Sequence, residues 1–277
     1  MRNDMTLGQY YPGNSFLHKA DPRVKIVSLV LFLVLTMLAN NLASLGIVLA
    51  ATLLLAFVSH IPAKVLVRSL KPLVFLLLFT GVINLFFTEG ETPLFSLGFL
   101  HIYPEGVRST VFILLRLVCL VGGSSLLLSY TTSPLELADA IESLLSPLKK
   151  LHVPVHDFAM MMTIALRFIP TLTEETDKIV SAQKARGADL ESGGLIKKLK
   201  AMIPILLPLL ISSFRHAMEL ADAMECRCYR GGEGRTKLKV LRTRASDYLF
   251  LALMAALCAV VIAANRFGGF TLWNVAL

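Results

Sequence analysis

Two arginines stand in short, similar motifs: Ala185-Arg186-Gly187 in the stretch KARGADL, and Cys226-Arg227-Cys228 in the stretch MECRCYRGGEGR. Each closes a helical pattern that opens in apolar sequence and ends in charged sequence. A guanidinium stays charged, and its planar fork holds a carboxylate through two parallel hydrogen bonds. Two such charges at matching helix ends make a docking surface for another protein, because a rigid helix transmits a push.

Other residues with chemical potential point to packing. Glu174 and Glu175 are adjacent, and adjacent residues do not share a helix face, so they do not form an acid–base pair. Cys119 and Cys258 lie in apolar runs, where Cys is a small hydrophobe. Cys226 and Cys228 form a single C-x-C with only His216 nearby, too few ligands for structural zinc. The methionines, Met160 to Met162 among them, read as soft packing. Arg116 lies inside an apolar run, where an ionisable group is costly and needs either a partner or a function. No Walker A loop, GxSxG or HExxH is present, so ATP hydrolysis in this chain is not expected.

The elements that position the arginines follow from composition. The chain has 277 residues, is 55% hydrophobic and has a mean hydropathy of +0.69, which fits an integral membrane protein of all-α class. Its net charge of +8 has its source in basic loops between apolar stretches, not in nucleic-acid binding. The polar N-terminal stretch has no apolar core of a cleaved signal, so insertion is expected to rely on internal helices. A crossing needs about 20 apolar residues. About five are expected: Val24 to Ala39, Leu42 to Val58, Pro72 to Phe87, Val107 to Tyr130 and Asp247 to Ala264. The N-terminal segment, up to the start of the first crossing, carries Arg2, Lys19, Arg23 and Lys25, and Lys64, Arg68 and Lys71 follow the second. The Asn40-Asn41 turn has no cation, and Glu89, Glu91 and Glu105 mark the loop after the third crossing. That alternation places the N-terminus in the cytoplasm and the C-terminus outside.

Three regions result: a transmembrane region over 1–130, a cytoplasmic coupling-helix region over 131–245, and a last crossing over 246–277. Within the middle region, Pro134 to Lys150 reads as a short amphipathic helix, His152-Val153-Pro154 as a breaker, and Val155 to Ala185 as a long helix capped by Gly187. A second long pattern starts near Leu195 and ends at Gly231-Gly232. Its apolar run Ala201 to Ile211 is about 17 Å long as a helix and cannot span alone; Pro204 and Pro208 are expected to bend it. From Lys178 to Arg244 there are 14 Lys or Arg against 6 Asp or Glu, which follows the positive-inside rule.

These features together resemble the transmembrane T component of energy-coupling factor transporters, along nearly the whole chain. PGNSFLHKADPRVKI resembles the family's opening, a Ser-x-x-His before an Asp-Pro-Arg, while SAQKARGADLESGG and AMECRCYRGGEGRTK resemble its two Arg motifs. The resemblance implies a non-catalytic scaffold in the cell membrane, with no cofactor of its own. Two ABC-type ATPase subunits, which bind ATP and Mg, would dock at Ala185, Arg186 and Gly187 and at Cys226, Arg227 and Cys228. Closure of the ATPases would move the helix ends together. One substrate-binding S subunit at a time would pack, amid membrane lipid, near Met160, Met161, Met162, Pro204 and Pro208. The stretch from ESGGLIKK onward resembles the shared type, which serves several vitamin-binding S subunits; a dedicated type for cobalt, nickel or biotin is the alternative. A membrane enzyme binding anionic lipid or phosphate, and a secondary transporter acting alone, are the other classes. Cys228 departs from the family's Gly, which bears on backbone contact there and exposes a thiol in basic surroundings to oxidation.

Overall fold

The computed structural model describes residues 10–88, 95–97, 100–151, 154–188, 194–231, 241 and 243–267. Arg2, Glu89, Glu91, His152, Val153 and Gly232, used in the sequence reading, lie outside the described residues. Ten α-helices are described: α1 (Phe16–Lys19), α2 (Pro22–Leu38), α3 (Leu42–Ser59), α4 (Ala63–Leu70), α5 (Val74–Phe87), α6 (Pro104–Ser124), α7 (Pro134–Leu144), α8 (Val155–Ala185), α9 (Leu195–Cys226) and α10 (Ala245–Phe267). A 3₁₀ turn links α4 to α5, and a π turn, Ser125–Ser129, continues α6. One short antiparallel pair, β1 (Phe95–Leu97) and β2 (Leu100–Ile102), pairs Ser96 with His101. It was not expected from the sequence; three residues a strand are too few for a period-two pattern to show. The protein is otherwise helical, an all-α integral membrane protein.

The chain divides into two compact units, residues 1–140 with 240–277, and residues 141–239. In the first unit α2 packs on α10 and α6, and α6 also carries α3, α4 and α5. The core holds Phe32, Leu35, Val48, Leu126, Leu127, Met254 and Val261. Helices approach this closely where side chains are small. A Cβ on Gly123 of α6 would stand 2.2 Å from the Phe32 ring of α2, so only glycine fits.

Five helical stretches among the described residues are long and apolar enough to cross a membrane: Leu42–Ser59, Lys64–Phe87, Pro104–Ser129, Ile196–Cys226 and Ala245–Arg266. The number agrees with the sequence reading and the set differs. With 17 residues, about 25 Å, α2 stands at the lower limit for a crossing, one residue shorter than α3. By length and composition α9 also qualifies. Pro204 and Pro208 lie inside it without breaking it, so the run Ala201 to Ile211 is part of one helix of 32 residues, about 48 Å long. The expected helix Pro134 to Lys150 is shorter, ending at Leu144 before a 3₁₀ segment Ser146–Leu151.

Candidate functional site

In the second unit both Arg motifs take the same shape. At the first, the Gly187 N–H donates to the Lys184 carbonyl at 3.0 Å and the Ala188 N–H to the Gln183 carbonyl at 3.0 Å. At the second, the Cys228 N–H donates to Glu225 at 2.8 Å and the Tyr229 N–H to Met224 at 3.0 Å. These paired bonds define a Schellman helix end, whose residue after the cap sits in the left-handed region. Gly187 takes φ +84° and Cys228 takes φ +56°. The substitution of Cys for Gly therefore leaves the backbone motif in place. Arg186 and Arg227 occupy the C-cap position of α8 and α9 respectively, and both are exposed. Ala185, Cys226 and Cys228 are exposed too, and both thiols are free.

Side-chain contacts fix how α8 and α9 run. The Gln183 amide donates to the Pro204 carbonyl at 3.4 Å. Further along, the Ser212 hydroxyl donates to Glu175, and the His216 ring stacks on Phe168 with centroids 6.2 Å apart. At the far end the Tyr229 hydroxyl donates to the Met160 sulfur at 3.1 Å. As one partner advances the other recedes, so the helices are antiparallel. Arg186 and Arg227 thus stand at opposite ends of the pair. The helix from Met160 to Arg186 spans about 40 Å at 1.5 Å per residue, and that is the scale of the separation.

Between the helices lies an apolar cavity of about 320 Å³, lined by Ile164, Phe168, Leu172, Ala217, Leu220 and Met224 among others. His216 borders it, with Nε2 3.6 Å from Glu175 and Nδ1 3.5 Å from Glu219. Glu175 is thus tied to α9, and Glu174 is not its partner. Among the described residues no three His, Cys, Asp or Glu are grouped to hold a metal ion.

The residues expected to meet a membrane partner divide in two. Met161 (58% exposed) and Met162 (41%) point outward, as do Pro204 and Pro208. Met160 is half-buried and engaged by Tyr229, so it belongs to the packing of the second Arg motif. On α9, Ile203, Leu206, Leu207 and Leu210 line an open apolar groove. Ile196, Phe214 and Met218 are also widely exposed on that helix.

In the first unit the structure corrects one reading and settles another. Lys25 is not a free loop cation: it is 1% exposed and donates to the Thr131 carbonyl at 2.8 Å. Arg116 has its partner. It donates to the Ala39 carbonyl at 2.5 Å and lies 4.6 Å from the Phe112 ring centroid, so it serves the C-terminal end of α2, where carbonyls lack helical donors. His18 accepts from the Ser15 hydroxyl at Nδ1 (2.6 Å), while Nε2 donates to the Tyr11 carbonyl at 2.9 Å. Burial pushes its pKa below the ordinary value; the Tyr11 bond opposes this and the nearby Lys25 charge adds to it. The Ser-x-x-His and Asp-Pro-Arg spacing was the one sequence signal of this polar cluster.

The model of a family described as cobalt transport protein, CbiQ, matches residues 13–238. The energy-coupling factor transporter transmembrane protein EcfT of Clostridium kluyveri is 52% identical over 263 residues, 95% of each chain. The protein of the same name from Acidaminococcus fermentans is 52% identical over 268 residues, 97% of this chain and 99% of that one. That of Bacillus subtilis is 42% identical over 261 residues, 94% of this chain and 98% of that one. With one family model spanning most of its length and such relatives aligned nearly end to end, the chain belongs to the CbiQ family, among the transmembrane components of energy-coupling factor transporters.

Proposed function

We propose that this chain is the scaffold through which two ABC-type ATPases drive a separate substrate-binding S subunit. The observation that carries this is the pair of exposed arginines, each on the same rigid helix-end motif, at opposite ends of one antiparallel helix pair. Each guanidinium donates to an acidic group of one ATPase; Gly187 and Cys228 hold the helix end so that the fork projects. ATP and Mg bind in the ATPases. Their closure displaces the two helix ends, and α8 and α9, held together by Gln183, Glu175, His216 and Met160, move as one lever. The S subunit packs, one at a time, against Met161, Met162 and the exposed α9 groove near Pro204 and Pro208. The N-terminus is cytoplasmic and the C-terminus outside, as the loop charges require.

A scaffold shared among several vitamin-binding S subunits is supported by relatives named for the coupling factor and not for a substrate. A dedicated scaffold is the second reading, favoured by the family model's description as a cobalt transport protein. Affinity purification of the complex in mild detergent counts the S subunits: several favour the shared type, one the dedicated type.

The docking role is tested by the double variant Arg186→Glu, Arg227→Glu. Interface arginines of this kind contribute about 2 kcal/mol each, roughly thirtyfold in affinity per site. The variant is expected in the membrane at normal abundance but without ATPases after purification. Wild-type ATPase retention would falsify the docking assignment.

A further inference from the structure

The docking reading gives the N-terminal motif no task, yet its residues converge with Lys25 on one buried node of the first unit. A buried ammonium is costly unless it is paired and hydrogen-bonded. Lys25 is met by the Thr131 carbonyl at 2.8 Å, the Thr132 hydroxyl at 3.2 Å and the His18 carbonyl at 3.4 Å. The carboxylates of Glu136, Asp247 and Asp21 act on it electrostatically. Asp247, itself 1% exposed, accepts from the Asp21 N–H at 3.3 Å and from the Arg244 N–H at 2.8 Å. The position of these partners along the chain is what matters. The chain leaves the first unit after Ala140 and returns to it at Val240. Thr131 and Thr132 stand shortly before the departure, Arg244 and Asp247 shortly after the return.

We propose that Lys25 is a positioning residue that anchors both chain connections of the second unit to the start of α2. The idea rests on the coupling reading above. A displacement imposed at Arg186 or Arg227 is transmitted only if the connections behind it do not yield. The ammonium pins the outgoing connection at Thr131 and Thr132. Asp247 pins the returning one through Arg244, and the Asp21 amide joins it to the same helix start. Removing the ammonium takes away the group that the Thr131 carbonyl and the Thr132 hydroxyl bond, and both connections loosen under load.

The test uses the full-length chain in complex with its ATPases and S subunit, in lipid nanodiscs, with ATP·Mg as the probe. Hydrogen–deuterium exchange is followed at the Thr132 and Asp247 amides, which bond to Leu128 and Arg244. The chains compared are wild type, Lys25→Met and Thr132→Val. Wild-type exchange is expected to be the same with and without ATP·Mg. In Lys25→Met both amides exchange about tenfold faster when ATP·Mg is added, a shift in local opening that leaves ATPase retention unchanged. Thr132→Val, which removes one acceptor at constant volume, moves the same way by less. If neither variant responds to ATP·Mg, or if the acceleration is equally large without it, the anchoring role is wrong. Should Lys25→Met fail to assemble, Thr132→Val decides alone. The Arg186→Glu, Arg227→Glu chain run alongside separates the two ideas: retained ATPases there remove the docking reading, whereas ATP-independent exchange in Lys25→Met removes only the anchor.

Discussion

At the scale of single residues, the two Arg motifs differ in one place that can be measured. Both end in a left-handed residue, but Gly187 bears no Cβ and Cys228 does. An L-residue in that region costs about 1 kcal/mol relative to glycine. Cys228→Gly is therefore expected to raise the thermal midpoint of the purified chain, and Gly187→Ala to lower it, each by about 1 kcal/mol of stability; differential scanning fluorimetry in detergent reads both. Equal and unchanged midpoints would mean that the helix ends fray and the cap geometry carries no strain. The Arg motifs were legible in the sequence because a helix end is local: cap, left-handed residue and bonded carbonyls lie within a few positions. Lys25 and Arg116 were legible only as anomalies. Their partners, Thr131 and Ala39, are 106 and 77 residues away, and no spacing rule reaches that far.

At the scale of elements, the question is how α9 stays one helix with two internal prolines. Pro208 has no N–H to offer the Pro204 carbonyl four residues back. That carbonyl is the one that accepts from the Gln183 amide of α8. The same substitution that weakens α9 internally thus ties it to its neighbour. A double-mutant cycle isolates this. Gln183→Leu is expected to cost about 1 kcal/mol in the native background and close to nothing in Pro208→Ala, where the restored N–H takes the carbonyl. Additive losses, read from the same thermal midpoints, would refute the compensation. Sequence periodicity found both long helices, with α8 over Val155–Ala185 as expected. It read α9 as one long pattern bent at Pro204 and Pro208, but not what offsets the prolines, because that relief comes from another helix.

At the scale of the whole molecule, the antiparallel contact pattern of α8 and α9 decides what kind of partners the arginines can hold. Had the helices run parallel, both C-caps would share one end, within about 10 Å, the interaxial distance of packed helices. Two separate domains of roughly 30 Å diameter could not then each reach an arginine without overlapping. Opposite ends, about 40 Å apart, leave room for one domain at each. The proposed docking of two ATPases, one at each arginine, therefore depends on this helix direction. Composition and loop charge made the membrane class legible, but direction within the second unit depends on Gln183, Glu175, His216 and Tyr229 finding partners across the pair, which hydropathy does not encode. Spin labels at Arg186→Cys and Arg227→Cys, in a background with Cys119, Cys226, Cys228 and Cys258 replaced by Ser or Ala, test this on the chain alone. Pulsed dipolar spectroscopy is expected to give a distance distribution centred near about 40 Å, broadened by label rotamers. A centre below about 20 Å would place both motifs at one end, and a scaffold of that shape could seat only one docked domain.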